Sequence, residues 1–270
     1  HAEMFAPEEK IAKYRGKFLP ESSYKGVDSG PNYRKFPYGS QPEAHAAFAA
    51  MVEVMDEDVG ELVAKVKELG IANNTLIMFT SDNGPHQEGG HDPAYFNSNG
   101  SQRGFKRDLY EGGIHVPMIA AWPGHISAGT QTDHLSAFWD VLPTVADLVG
   151  QPVPDTIDGV SFVPTLLGKQ GQEEHEYLYW EFHEKKGRVA LRQGQWKAVR
   201  YNVAADPDSP LELFDLSADP GETVNVADQH PEVVTKMNAQ IKSARTASKL
   251  PKFNFPLVRK GGSHEGVRKK

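Results

Sequence analysis

The sequence predicts an α/β protein with a smaller α+β part toward its C-terminal end, and three observations carry that expectation. A long amphipathic helical pattern runs through a short turn into a continuous apolar run, Thr75-Leu76-Ile77-Met78-Phe79-Thr80. A second such run, Val116-Pro117-Met118-Ile119-Ala120-Ala121, follows a polar, Gly-rich stretch. Beyond residue 170 the texture changes to four short strand-like segments and one further helix. Helix, turn and buried strand form half of a repeated α/β unit, and strands covered on both faces of a parallel sheet read as unbroken apolar runs.

The elements follow in order. The first 38 residues show no clear period and suit an irregular, surface-hugging segment with a short helix at Pro7–Tyr14. Ser40 and Glu43 stand at the spacing of a capping box, with Pro42 in a position that a first helical turn tolerates. Phe48, Met51, Met55, Val59, Leu62, Val66 and Leu69 then recur at three- and four-residue steps, the mark of one buried helical stripe ending at Gly70. His45, on the same helix, reads as a solvated residue. Phe138 to Val149 is a further helix stopped by Gly150. Gly168 to Glu174 is polar and Gly-rich, which divides the chain into residues 1–170 and 171–270. In the second part, Glu176–Phe182, Arg188–Arg192, Trp196–Tyr201 and Leu211–Leu216 are strand candidates. Gln193-Gly194-Gln195 links two of them as a hairpin, and Trp180 and Trp196 read as core aromatics of this sheet. A helix over about 231–248 covers it, and a basic, Gly-rich tail begins near Lys260.

Composition narrows the function. The 270 residues suffice for one or two domains with a sizeable core. The formal charge is −7, from 29 basic and 36 acidic residues without blocks of one sign, which argues against a broad nucleic-acid or anionic-membrane surface. A 39% hydrophobic share is that of a globular chain, and no apolar run reaches the roughly 18 residues of a spanning helix. Cysteine is absent, which removes disulfides, thiolate metal sites and a cysteine nucleophile. The opening His1, with no Met before it, reads as the start of a processed product or a fragment.

Chemistry concentrates between Thr80 and Gly113. Ser81-Asp82-Asn83-Gly84 stands just past the end of an apolar strand, where open α/β sheets place their ligands. Asp82 and Asn83 offer hard oxygen donors suited to Ca²⁺ or Mg²⁺, although Asn-Gly is equally a tight-turn pair. His86 and His91 flank a Gly-rich loop and suit hydrogen bonds to a substrate better than a transition metal, given no Cys and no helical spacing. Arg103, Lys106 and Arg107 follow, a cluster that is either a solvated charge run or an oxyanion site, with Arg107 as the solvated member. Acid, amide, cation and imidazole brought together suit a metal plus a bound oxyanion. His183, at the end of a strand, either points into a substrate pocket or stands on a surface loop.

These residues resemble a known family. Phe79-Thr80-Ser81-Asp82-Asn83-Gly84-Pro85, Lys106 with Tyr110-Glu111-Gly112-Gly113, Val116-Pro117 and Trp122-Pro123-Gly124 are similar to the type I sulfatases. So are Phe138-Trp139-Asp140-Val141-Leu142-Pro143-Thr144, Asp158-Gly159, Gly194-Gln195-Trp196-Lys197, Leu211-Glu212-Leu213-Phe214-Asp215-Leu216 and Asp219-Pro220-Gly221-Glu222. The resemblance implies an alkaline-phosphatase-like α/β fold and hydrolysis of sulfate esters, of sugars or aryl compounds, around one divalent cation, usually Ca²⁺ with Mg²⁺ as the other option. It implies that Asp82 and Asn83 are metal ligands and that Lys106 holds a sulfate oxygen. It implies that His1, ahead of Tyr14-Arg15-Gly16-Lys17-Phe18, is the histidine that contacts sulfate. A periplasmic, secreted or lysosomal setting is implied as well.

The family's nucleophile is a formylglycine made in a Cys/Ser-x-Pro-x-Arg motif. No such motif is present; Ser29-Gly30-Pro31-Asn32-Tyr33 lacks the Arg, and the paired N-terminal aspartates of the metal site are not found. The expectation is therefore a C-terminal portion of a sulfatase, inactive alone, whose partners are a sulfated small molecule or sugar and the N-terminal part of the same protein. The alternatives are a phosphodiesterase or phosphonate hydrolase of the same superfamily, or a non-catalytic binding module.

Overall fold

The computed structural model describes residues 3–32 and 38–255 of the chain. His1 and the tail from Lys260 lie outside the described residues. The chain divides into two compact units. The first comprises Gly112–His175 and the chain before Leu109; the second comprises Leu109–Glu111 and the chain from Glu176 on. Helices and antiparallel sheets together make this an α/β fold.

In the first unit, α1 (Glu8–Tyr14) packs along the start of α2 (Ala44–Glu68). Met4, Ala6 and Ile11 meet Ala46, Ala47 and Ala50 in a small core, with Phe48 and Met51 packed against it. Alanines on α2 let the two backbones approach closely. The expected capping box does not form. Ser40 accepts the Gly26 N–H at 2.9 Å and donates to Asp28 at 2.8 Å, while Glu43 pairs with Arg15. The first N–H groups of α2 are satisfied from upstream instead, with His45 N and Ala46 N donating to the two Glu21 oxygens at 2.8 and 3.2 Å.

The apolar stripe of α2 is nowhere fully buried: Phe48, Met51, Val59 and Val66 are half-buried. Met55, Leu62 and Leu69 are 45%, 67% and 61% exposed. The seven residues of α1 span about 10 Å at 1.5 Å per residue, against roughly 37 Å for the 25 residues of α2. His45 corrects the opposite way. It is buried, its ring stacks on Tyr95 at 3.9 Å, and its Nδ1 lies 3.2 Å from the Phe18 carbonyl.

Strand β1 (Ile77–Thr80) pairs antiparallel with β2 (Met118–Ala121), in register Ile77↔Ala121 to Thr80↔Met118. The parallel pairing expected for β1 is not what it makes with β2. The connection from Ser81 to Pro117 is long enough for either direction, and it holds one four-residue helical turn, α3 (Glu111–Ile114), in place of the helix usual in a parallel crossover. Nor is β2 covered on both faces, since Met118 and Ile119, which point to opposite sides, are both exposed. Then come α4 (Val141–Leu148), led by a 3₁₀ turn at Phe138–Asp140, and the short α5 (Val163–Leu166), which sequence periodicity did not reveal. Buried Asp140 ties the end of this unit together. Its carboxylate accepts the Ala137 and Val160 N–H groups at 2.7 and 2.8 Å and meets His175 Nε2 at 2.8 Å.

The second unit is a four-stranded antiparallel meander, β3 (Leu178–Phe182), β4 (Arg188–Gln193), β5 (Trp196–Tyr201) and β6 (Leu211–Asp215), in that spatial order. Gln193 pairs with Trp196 across a two-residue turn in which Gly194 adopts φ +55°. Helix α6 (Pro231–Ala244) lays Met237 and Ile241, fully buried, on Val189, Leu191, Ala198 and Leu213. Among the described residues, no helix is long and apolar enough to cross a membrane.

Candidate functional site

Beyond β1 the chain makes a tight turn. Ser81 Oγ donates to the Asn83 carbonyl at 2.8 Å, and Asn83 Nδ2 donates to the Gly84 carbonyl at 3.1 Å. The turn is then tied to distant backbone. Gly84 N donates to Gly113 O at 2.9 Å, Lys106 N to Pro85 O at 2.8 Å, and Gly112 N to Arg103 O at 2.7 Å. These ties explain the glycines. A Cβ added to Gly84 would stand 1.9 Å from the Gly112 carbonyl oxygen; one on Gly112, 2.4 Å from that of Gly104; one on Gly113, 2.3 Å from that of Asp108. Three peptide segments therefore meet backbone to backbone, and only glycine permits the approach.

Over this floor opens a cavity of about 490 Å³ whose lining includes Asp82, Asn83, His86, His91 and Lys106. Four of the six candidate residues, Asp82, Asn83, His86 and Lys106, are thus brought together. His183 is not among the lining residues. It belongs to the second unit, with Nε2 2.9 Å from Glu181 Oε2 and its ring 4.8 Å from that of Phe255. His1, the sixth, lies outside the described residues.

The imidazoles have defined states. The Glu88 N–H donates to His86 Nδ1 at 3.1 Å, so neutral His86 carries its proton on Nε2. Burial lowers its pKa, and the charges of Lys106 and Arg107 add to that against the opposing pull of Glu88. His91 is buried, stacks on Phe48 at 3.9 Å, and burial pushes its pKa down to about 4. Arg107, read from sequence as solvated, instead pairs with Glu88 and adopts φ +80°. Burial raises the Glu88 carboxyl, but the hydrogen bond and charge of Arg107 outweigh it and hold it below the ordinary value.

Phe48 and His115 are among the lining residues that escaped the sequence reading. Phe48 reaches the cavity from α2, where its spacing marked it as core, and no local signal separates the two roles. His115 hydrogen-bonds with Gln102, and both line the cavity. The polarity of Gln102 and His115 beside the Arg-Gly-Phe-Lys run was the available clue.

A divalent cation finds two hard oxygen donors here, the Asp82 carboxylate and the Asn83 amide oxygen, whose NH₂ is already turned to backbone. Among the described residues no group of three His, Asp or Glu side chains is placed to hold a metal. Two such donors are part of the six to eight oxygens that a cation such as Ca²⁺ takes, and the rest would have to come from water or other residues.

Comparison with known proteins gives the family of the chain. The sulfatase family model matches residues 1–151, and that described as N-sulphoglucosamine sulphohydrolase, C-terminal, matches residues 102–247. Steryl-sulfatase of Rattus norvegicus is 36% identical over 229 residues, 72% of this chain and 40% of that protein. N-acetylgalactosamine-6-O-sulfatase of Bacteroides thetaiotaomicron is 34% identical over 210 residues, 71% of this chain and 40% of that protein. The solved structure of Ps i-CgsB superposes with TM-score 0.71 at 26% identity, covering 90% of this chain and 47% of that one. The chain spans about 40% of the length of these curated relatives. By the family model that matches more than half of it, and by relatives above 30% identity along most of its length, the chain belongs to the sulfatase family.

Proposed function

We propose that this chain supplies the sulfate-holding and part of the metal-binding side of a sulfuric ester hydrolase that acts on sulfated sugars or aryl sulfates. The observation that carries the reading is the joint lining of one cavity by Asp82, Asn83, His86 and Lys106. A sulfate ester presents oxygens that gain negative charge as the S–O bond to the leaving alcohol breaks. The Lys106 ammonium holds one of them as a point charge. His86 donates from Nε2, and burial disfavours its cation. Asp82 and Asn83 would hold a divalent cation, Ca²⁺ by the hardness of their donors or Mg²⁺, and when bound that ion neutralises charge on sulfate oxygens. Sulfated sugar as substrate is supported by the N-acetylgalactosamine-6-O-sulfatase relative.

No side chain of this sequence is the formylglycine nucleophile of the family, since the motif that generates it is missing. The nucleophile, the remaining metal ligands and any sulfate contact by His1 belong to the same reading, in which the N-terminal part of the protein completes the site. The test is hydrolysis of an aryl sulfate and of a 6-O-sulfated hexosamine, by the 270-residue chain and by a version extended with a formylglycine-bearing N-terminal part. The expected result is no turnover by the chain and chelator-sensitive turnover by the extended protein. Metal-dependent turnover by the chain alone, or an extended protein inert toward both esters, overturns the reading.

A further inference from the structure

The turn that carries Lys106 ends in Gly112-Gly113, and a glycine pair has more backbone freedom than any other dipeptide. The pair is tied to Arg103 and Gly84 through its own backbone, and a further anchor stands beside it. Glu111, the next residue, is held by one of the most buried polar networks of the second unit. Lys197 is fully buried, and its Nζ donates to Glu111 Oε1 at 2.6 Å. Arg192 Nη1 donates to the other oxygen, Oε2, at 2.8 Å. The Glu111 backbone N–H donates at 2.6 Å to Glu222, itself fully buried. One residue earlier, the Tyr110 hydroxyl donates to Glu212 at 2.7 Å, and the Tyr110 ring stacks on Tyr201 at 5.3 Å. Leu109–Glu111 thus belongs to the second unit, although the residues on either side of it belong to the first.

Such a network is a poor device for stability alone. Stripping a lysine and a carboxylate of water costs several kcal/mol per ion, and apolar residues of similar volume often stabilise as well or better. What the network does supply is a single register for the peptide between Lys106 and Gly112, both of which line the cavity.

We propose that Glu111 and Lys197 are positioning residues for Lys106: their buried ion pair, with Arg192, clamps the peptide that leads from Lys106 into Gly112-Gly113 and so fixes the floor of the site. This rests on the reading of Lys106 as the sulfate-holding cation.

Hydrogen exchange on the chain tests it through Lys197→Met, which keeps side-chain length and removes the charge. The expected result is exchange at least about tenfold faster at the Lys106 and Gly84 amides, with the Ile11 and Ala47 amides of the α1–α2 pair unchanged. Acceleration confined to β3–β6 and α6 overturns the proposal. Should Lys197→Met fail to fold, the pair Glu111→Gln with Lys197→Met leaves no unpaired buried charge between them and is read by the same amides with the same two outcomes. Kinetics on the extended, active protein give a second readout. There Lys197→Met lowers kcat at least about tenfold with KM within about threefold, and the same substitution in a Lys106→Ala background adds no further loss. Full additivity of the two substitutions overturns the positioning role. A Lys106→Ala single variant with unchanged kcat overturns the assignment of Lys106 itself, so the two failures are distinct.

Discussion

A lysine ammonium is a compact charge on a flexible stem, and Lys106 keeps its place because the peptide under it is tied to Pro85. In the extended, active protein, Lys106→Ala removes a charge-assisted contact that strengthens in the transition state. The expected loss in kcat is about 100-fold or more, near 3 kcal/mol by analogy with deletion of an oxyanion donor. Lys65, exposed on α2 and paired with Glu68, is the control; Lys65→Ala leaves kcat unchanged and stability within about 0.5 kcal/mol. Equal, small effects at both positions remove Lys106 from the site. Arg107, read from sequence as the solvated cation, is unsuited to that role, because its pairing with Glu88 and its positive φ tie it to the loop. At this scale the sequence was readable where chemistry is local. Asp82, Asn83, His86 and Lys106 announce themselves by residue type and spacing. Phe48 and His115 do not, since a phenylalanine in a helical stripe has the same pattern whether it faces core or cavity.

Elements show the same division. The strands of the meander and α6 were legible because period-2 alternation, a Gly hairpin and an apolar helical stripe are short-range signals. Legibility failed where the partner decides. The Ser40–Glu43 spacing promised a capping box, yet Arg15 draws Glu43 away and Glu21 takes over the helix start from more than twenty residues upstream. Glu21→Ala should therefore cost about 1 kcal/mol of stability, as loss of a cap does, whereas Ser40→Ala should leave α2 itself unaffected. Urea unfolding of the two variants checks this; an undisturbed midpoint in Glu21→Ala would falsify the cap. The Ile77–Thr80 run likewise forecast a strand correctly and its pairing with β2 wrongly, because sheet direction is not set by the strand's own residues.

Stability of the whole molecule should carry the signature of its buried imidazoles. Burial holds His91 at about 4, below an unfolded value of about 6.5, so the fold favours the neutral ring. A depressed histidine contributes stability that is complete above about pH 6.5 and is lost as pH falls from there toward 4. His86 and His134, also lowered by burial, act in the same direction. The expected loss attributable to His91 is on the order of 3 kcal/mol across that window. His91→Phe, which keeps the stack on Phe48, should flatten it. Unfolding free energies measured at pH 7.5, 6 and 4.5 decide the matter: parallel pH curves for both proteins would show that His91 is not the titrating group.

The antiparallel pairing of β1 with β2 clamps both ends of the segment from Ser81 to Pro117 in a four-rung ladder, so the cavity wall, Phe48 of α2 apart, is one closed loop. Closure entropy grows only with the logarithm of loop length, and doubling a flexible loop costs about 0.6 kcal/mol. The exposed crown near Asn97–Ser101, where Asn97 and Gly100 already turn with positive φ, can thus lengthen at almost no thermodynamic expense. The glycine floor cannot accept even one methyl group. A lineage built on this plan is free to vary that crown in length and sequence while the glycine floor stays fixed.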